Sequence, residues 1–244
     1  MGAQFTFAMM AVYIAVFGAQ CTGSNLAMLY AYPWRVGHGE VWRLITATAL
    51  HGSILHFLFN MSLFFPLSRA LERWLGPWVA LLMYVFFALG SGAPQALEGS
   101  SAIGASGVVY ALFGFLWVCR RRYDVAAEAV TPAIIETMLA WLAICAVVNF
   151  FGGHIANTAH VFGLIFGWLV GQVVVARKKY KAPIALGTLA LWGLLVALTY
   201  LPVWERTGAR LPYVGRRYTQ LQIPKDDWKE WEMRLNQDRP TRLM

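Results

Sequence analysis

The chain has 244 residues, 59% of them hydrophobic and 13% charged, with a formal net charge of +8. A soluble domain carries about 25% charged residues, so the composition excludes an ordinary water-soluble globule and points to lipid as the solvent. The basic residues sit beside apolar runs, where they are topology signals rather than nucleic-acid contacts.

In chain order, seven apolar runs are expected to span the membrane, at approximately 5–21, 48–69, 77–97, 105–119, 133–151, 155–176 and 183–204. A span needs roughly 20 apolar residues. The first run has no basic segment before it and is taken as a span, not a signal peptide. The loop 22–46 contains Trp34, Arg35, Trp42 and Arg43 and is too long for a tight connection, so it is expected to form its own structure at the interface. Cys21, Cys119 and Cys145 offer no CxxC and are expected to be apolar fillers. The hydrophilic tail, 205–244, is expected to be solvated. An interfacial amphipathic helix is the alternative there, since Trp228, Trp231 and Leu235 follow Pro224 at i, i+3, i+7.

Lys and Arg set the orientation. Arg69 and Arg73, Arg120–Arg122, and Arg177, Lys178, Lys179 and Lys181 follow the second, fourth and sixth spans, against Arg35 and Arg43 on the other side. The N-terminus and the basic loops are therefore expected in the cytoplasm. Seven spans then export the tail, although its many basic residues run against the rule.

Polar side chains inside spans are costly and mark function. Here they are His51, His56, Asn60, Ser106 and His160. Counting helix rise at 1.5 Å per residue from the basic edges puts Ser106 ~21 Å, His56 ~20 Å and His160 ~25 Å above the cytoplasmic side. Serine is a weak nucleophile unless a base takes its proton, and histidine is the usual base. Ser106 opens a helix after Gly104 and Ala105, where free N–H groups and the helix dipole favour an oxyanion. His56 and Asn60, at i and i+4, share a face and can donate hydrogen bonds. Glu72, Glu98 and Glu136 all fall near span ends, so these positions offer a Ser–His dyad and no intramembrane acid for a triad. Gly163 and Gly167 form GxxxG on the stripe of His160, permitting a close approach to the fourth span. Tyr110, one turn after Ser106, is a candidate to pack on His160, and His51 a candidate to support the site. His154 is read as a solvated loop residue, and His38 is given no role.

These residues resemble the rhomboid family of intramembrane serine proteases. The matching segments are Trp42–Arg43, HGSILHFLFN (51–60), ALERWLG (70–76), GASGVVYALFG (104–114) and AHVFGLIFG (159–167). The resemblance implies Ser106 as nucleophile and His160 as general base. It also implies His56, Asn60 and the Ser106 N–H as oxyanion hole, Tyr110 stacked on the histidine, and Gly163 and Gly167 as the glycines that pack the sixth span on the fourth; Gly104 and Gly107 are candidate supporting residues. Trp42 and Arg43 match the first-loop signature, and Glu72 with Arg73 the cytoplasmic one. Gln95 is a candidate for holding water near the site, and FGGHIANTAH resembles the loop that caps it. Ala47 stands where some relatives have another histidine.

The expectation is an all-α polytopic transmembrane helix bundle, with a six-helix catalytic core over 1–182, an added span at 183–204 and the tail. The resemblance implies that it needs no metal or organic cofactor and that its substrates are transmembrane proteins with helix-destabilising residues and a small residue at the cut. The expected partners are these and the bilayer, not nucleic acid. The expected location is the bacterial inner membrane. The rival is a catalytically inactive rhomboid-like membrane-protein binder. A haem or metal protein would need facing histidine pairs, a transporter would need inverted repeats, and the zinc motif HExxH is missing from the sequence.

Overall fold

The computed structural model describes residues 3–200; the tail, and with it the proposed amphipathic helix, lies outside the described residues. Among the described residues there are ten α-helices and no β-strand. They are α1 (Gln4–Cys21), α2 (Pro33–Gly37), α3 (Arg43–Thr46), α4 (Ile54–Leu75), α5 (Pro77–Leu97), α6 (Ser106–Cys119), α7 (Asp124–Ala129), α8 (Pro132–Phe150), α9 (Asn157–Val175) and α10 (Lys178–Leu198). Six of them, α1, α4, α5, α8, α9 and α10, are long and apolar enough to cross a membrane, and α6 is a shorter apolar helix. Large apolar side chains such as Leu55, Trp78, Leu82, Phe150 and Phe151 are exposed. The all-α bundle expected from the sequence is the architecture observed.

Local chemistry sets the boundaries. Ser53 caps α4 by accepting the His56 N–H at 3.1 Å. Gly76, at φ 85°, ends α4, and Pro77 opens α5 at once. Thr131 caps α8 and Pro132 takes its first position.

The second and seventh spans differ from expectation at both ends, the seventh closing at Leu198 rather than 204. The second span was expected over 48–69, but α4 covers Ile54–Leu75. A 3₁₀ turn at Ala47–Ala49 and extended backbone at Leu50 and Ser53 keep His51 outside the helix. At the other end the charges do not stop it. Arg69 lies over the Phe65 ring. Glu72 is buried because it accepts the backbone N–H groups of Phe5 and Thr6 and the Thr6 hydroxyl, each at 2.8 Å. It thus caps α1, whose own Ala3 has no side chain that could do so. Arg69 is therefore no reference edge for the depth of His56. The seventh helix begins at Lys178, five residues before the expected 183, with Pro183 in its second turn. The short α7 was not expected at all.

The loop 22–46 does carry its own structure, including α2 and α3. Arg43 organises it. Its guanidinium donates to the carbonyls of Ala27, Met28 and Tyr30 at 2.7–3.1 Å and pairs with Glu40. Burial alone would raise the Glu40 carboxyl, but the hydrogen bonds and charges of Arg43 and Arg35 hold it below its ordinary range.

Helix α6 is the centre of the bundle, with every residue from Gly107 to Leu116 buried. It packs on α9 backbone to backbone. A Cβ added at Gly163 would fall on the Gly107 carbonyl, and one at Gly167 on that of Ala111; at Gly171 it would meet the Phe115 carbonyl at 3.1 Å. In the other direction, a Cβ at Gly114 would meet the Leu164 carbonyl at 2.6 Å. Helix α10 covers the far side of α5 and α9. Trp192 donates its indole N–H to the Phe86 carbonyl at 2.9 Å and lies flat on the Phe86 ring, over Gly90.

The packing predicts an asymmetric response to one added methyl. Gly167→Ala forces backbone apart and is expected to cost about 1–3 kcal/mol, read as a lower thermal unfolding midpoint in detergent. Gly187→Ala, where a Cβ meets nothing within 4 Å, is expected to leave the midpoint unchanged or raise it.

Candidate active site

The close approach of α6 and α9 brings Ser106 and His160 together. His160 Nε2 and Ser106 Oγ lie 2.8 Å apart. Serine can donate only if Nε2 is unprotonated, so the neutral ring carries its proton on Nδ1. His160 is buried, 3% exposed. The Tyr110 ring lies against the imidazole, centroids 4.9 Å apart and planes tilted by 33°. Tyr110 is fixed at its far end, where its hydroxyl donates to the Met138 carbonyl of α8 at 3.0 Å.

Gly104 shapes the entry to α6. It adopts φ 99°, and a Cβ there would sit 2.7 Å from Cε1 and Nε2 of His56. Both facts select glycine. Its N–H donates to the Ala47 carbonyl at 3.1 Å, which ties the approach to Ser106 to the 3₁₀ turn. Gly107 has Ser91 on one side, with 2.7 Å from an added Cβ to Oγ.

His56 thus lies beside the segment that leads into Ser106. Gly52 N–H points at His56 Nδ1, 3.3 Å away, so Nδ1 accepts and the ring proton is on Nε2, the atom beside Gly104. Asn60 is buried and donates Nδ2 to the His56 carbonyl at 2.9 Å. Among the described residues no hydrogen bond joins His56 or Asn60 to Ser106. His51 packs edge-on against His56, ring centroids 5.1 Å apart. Its backbone is clamped from α1, where Gln20 accepts the His51 N–H at 3.0 Å and donates to its carbonyl at 3.2 Å.

The N-terminus of α9 is held from the end of α5. Gln95 Oε1 accepts the Ala159 N–H at 3.1 Å, next to His160 in sequence, and Gln95 Nε2 donates to Glu98 at 3.0 Å. Thr158 donates its hydroxyl to Glu98. Gln95 was expected as a water-holding residue; its direct bonds are to the Ala159 N–H of α9, to Glu98 and to Ser100. This cap and the clamp by Gln20 were not anticipated, because neither shows any periodicity in the sequence. Gly171 was legible and missed, since it extends the GxxxG pattern by one turn. Trp42 is exposed and touches none of these groups, and Glu72 serves α1 rather than the site.

A serine on an imidazole, beside a helix N-terminus with a second imidazole facing it, is an arrangement for acyl transfer. The family comparison agrees with the fold and the motifs. Residues 38–177, more than half of the chain, match the family model described as Rhomboid domain, and the chain belongs to the rhomboid family. It is an integral, multi-pass membrane protein. It is 35% identical over 181 residues to Rhomboid protease GlpG of Enterobacter sp. (strain 638), covering 72% of this chain and 65% of that protein. It is 31% identical over 169 residues to Rhomboid protease GlpG of Yersinia pestis (strain Pestoides F), covering 68% and 60%. It is 38% identical over 141 residues to that of Photorhabdus laumondii, covering 57% and 50%. The chain thus spans between half and about two thirds of the length of these relatives.

Proposed function

We propose that this protein is an intramembrane serine endopeptidase that cuts transmembrane segments of membrane proteins with a Ser106–His160 dyad. The observation that carries the reading is the 2.8 Å contact between Ser106 Oγ and His160 Nε2. Ser106 Oγ attacks the scissile carbonyl while His160 Nε2 takes its proton. The imidazolium then protonates the leaving amine, the C–N bond breaks, and an acyl ester remains on Ser106. Water, deprotonated by the same nitrogen, releases the new carboxylate and restores the serine.

The oxyanion forms at the N-terminus of α6, where the first N–H groups lack intrahelical partners. His56 Nε2–H is a side-chain donor beside this entry, and Asn60 contributes by turning its amide from the His56 carbonyl. The catalytic unit is proposed as residues 1–182, with α10 an added span and 205–244 a tail. The proposed setting is the bacterial inner membrane.

The orientation rests on the basic residues. Arg122 donates to the Val175 carbonyl and Lys181 to that of Val174, each within about 3 Å, so the clusters at 120–122 and 177–181 meet at the C-terminal end of α9. Cations suit that end of a helix dipole. Trp74, near the end of α4, lies against Tyr123 at the same end, ring centroids 4.5 Å apart and planes tilted by 42°. By the positive-inside rule this end is cytoplasmic, and the dyad opens toward the other side.

Four outcomes are expected. Purified protein in detergent or liposomes cleaves members of a panel of transmembrane substrates, and a fluorophosphonate labels Ser106. Ser106→Ala and His160→Ala each abolish cleavage while the protein stays folded, because the pair acts as a unit. Full activity in Ser106→Ala would overturn the mechanism; a folded wild type that neither cuts nor labels would instead favour a membrane-protein binder. His56→Ala or Asn60→Ala lowers the rate by ~10²–10³, the cost of one oxyanion donor, without moving the cleavage site; a shifted site in the products would assign them to substrate positioning. A reporter active only outside the cytoplasm is silent when fused near Arg122 and active at Met244. Silence at both would leave α10 short of spanning.

A further inference from the structure

Asn157 opens α9, one turn before His160. Its Nδ2 donates to the Cys145 carbonyl of α8 at 2.9 Å. Its Oδ1 is buried and accepts no hydrogen bond among the described residues, and His160 Nδ1 is buried with no partner there either. Buried polar atoms are nearly always paired, so two orphans three residues apart on one helix call for an account.

The two atoms are complementary. The Ser106 contact through Nε2 leaves the ring proton of His160 on Nδ1, which is therefore a donor. An amide oxygen is only an acceptor. Residues at i and i+3 of a helix are neighbours, with Cβ atoms roughly 5–6 Å apart. One water that accepts from Nδ1–H and donates to Oδ1 satisfies both, and bridging waters of this kind belong to protein interiors.

We propose that Asn157 is the positioning residue for His160, its amide oxygen holding the imidazole through one bridging water in the Nδ1–H tautomer that lets Nε2 take the Ser106 proton. The proposal rests on the protease reading above. Asn157 fills the place that a carboxylate takes in a Ser–His–Asp triad, without burying a charge whose desolvation would be costly. The titratable groups around His160 are Tyr110 of α6 and His56 of α4. Cys145 of α8 lies behind Asn157, and Glu98 is bonded to Thr158. None of them bonds to Nδ1.

The test uses the full chain in detergent micelles with a transmembrane substrate that the wild type cuts. Asn157→Ala is expected to lower kcat about tenfold, the worth of one neutral hydrogen bond, with KM unchanged. Asn157→Asp keeps an acceptor and adds charge. It is expected to recover kcat relative to Asn157→Ala and to move the acid limb of kcat/KM to higher pH, because a nearby carboxylate favours the imidazolium. Equal losses in both variants with an unmoved acid limb would overturn the proposal and leave Asn157 as an anchor to Cys145; so would a rise in KM with kcat intact. A second measurement needs no substrate. In ¹⁵N-histidine spectra at neutral pH, His160 is expected as the Nδ1–H tautomer in the wild type and as a mixture in Asn157→Ala; an identical tautomer in both overturns the proposal. If the wild type cuts nothing, the protease reading fails and these spectra alone decide the contact of Asn157.

Discussion

Serine is a short side chain on a helix, and it reaches a histidine on another helix only if the two backbones nearly touch. In this protein they do, because α9 carries glycine at 163, 167 and 171 and α6 lays the carbonyls of Gly107, Ala111 and Phe115 where the missing Cβ atoms would be. In lipid this packing cannot rely on expelling water, since the tails are as apolar as leucine. Shape complementarity and close backbone contact supply it instead. The 2.8 Å contact of Ser106 with His160 is a consequence of that seam, and so is the Tyr110 ring against the imidazole, one turn further along α6.

The seam fixes the distance between the helices but not their slide or rotation. Polar side chains do that by capping helix ends across the chain. Glu72 caps α1 from 66 residues away, Gln95 caps α9 from α5, Gln20 clamps the backbone at His51, and Arg43 gathers three carbonyls of the first loop. Helix ends near or within a bilayer have little water to satisfy their free N–H and C=O groups, so another segment must do it. Each such cap lowers the cost of a helix end and at the same time locks its register against a neighbour. The cap on Ala159 is the most direct case, because it fixes the turn of α9 that carries His160.

The sequence made the spans and the dyad candidates readable because both depend on local signals: long apolar runs, a GxxxG stripe, and rare polar groups inside spans. The α4 boundary was misjudged for a physical reason. Arg69, Glu72 and Arg73 look like a membrane edge, yet the helix continues to Leu75 because Glu72 finds its partners on α1. Counting depth from Arg69 gave His56 a height that had no valid origin. What puts His56 near the site is the contact with Gly104, a glycine held at positive φ. The caps of Gln20 and Gln95 were illegible for the converse reason, since a single glutamine in an apolar run carries no record of the backbone group it will meet. Even the misread segments left the pairing of α6 with α9 intact, because the close approach of the two helices is made at the glycines, outside those segments.

A buried dyad without a carboxylate has to solve two electrostatic problems with neutral groups. In the proposed mechanism the oxyanion is met by the positive end of α6, by the N–H groups that a helix start leaves free, and by the His56 imidazole, which has its proton on Nε2 because Gly52 N–H points at its Nδ1. The imidazolium of that mechanism is met by the Tyr110 ring and by the proposed neutral acceptor, the Asn157 amide oxygen acting through water. Neither solution places a permanent ion in a low-dielectric interior, where an unpaired charge is far more costly than an unpaired amide. Among the described residues, Glu72 and Glu98 lie instead near helix ends, where they accept hydrogen bonds from backbone or hydroxyl donors. On the proposed mechanism two uses of polarity are separate: charge near helix ends, as at Glu72 and Glu98, holds the frame, and neutral dipoles serve the site, where charge arises only during the reaction.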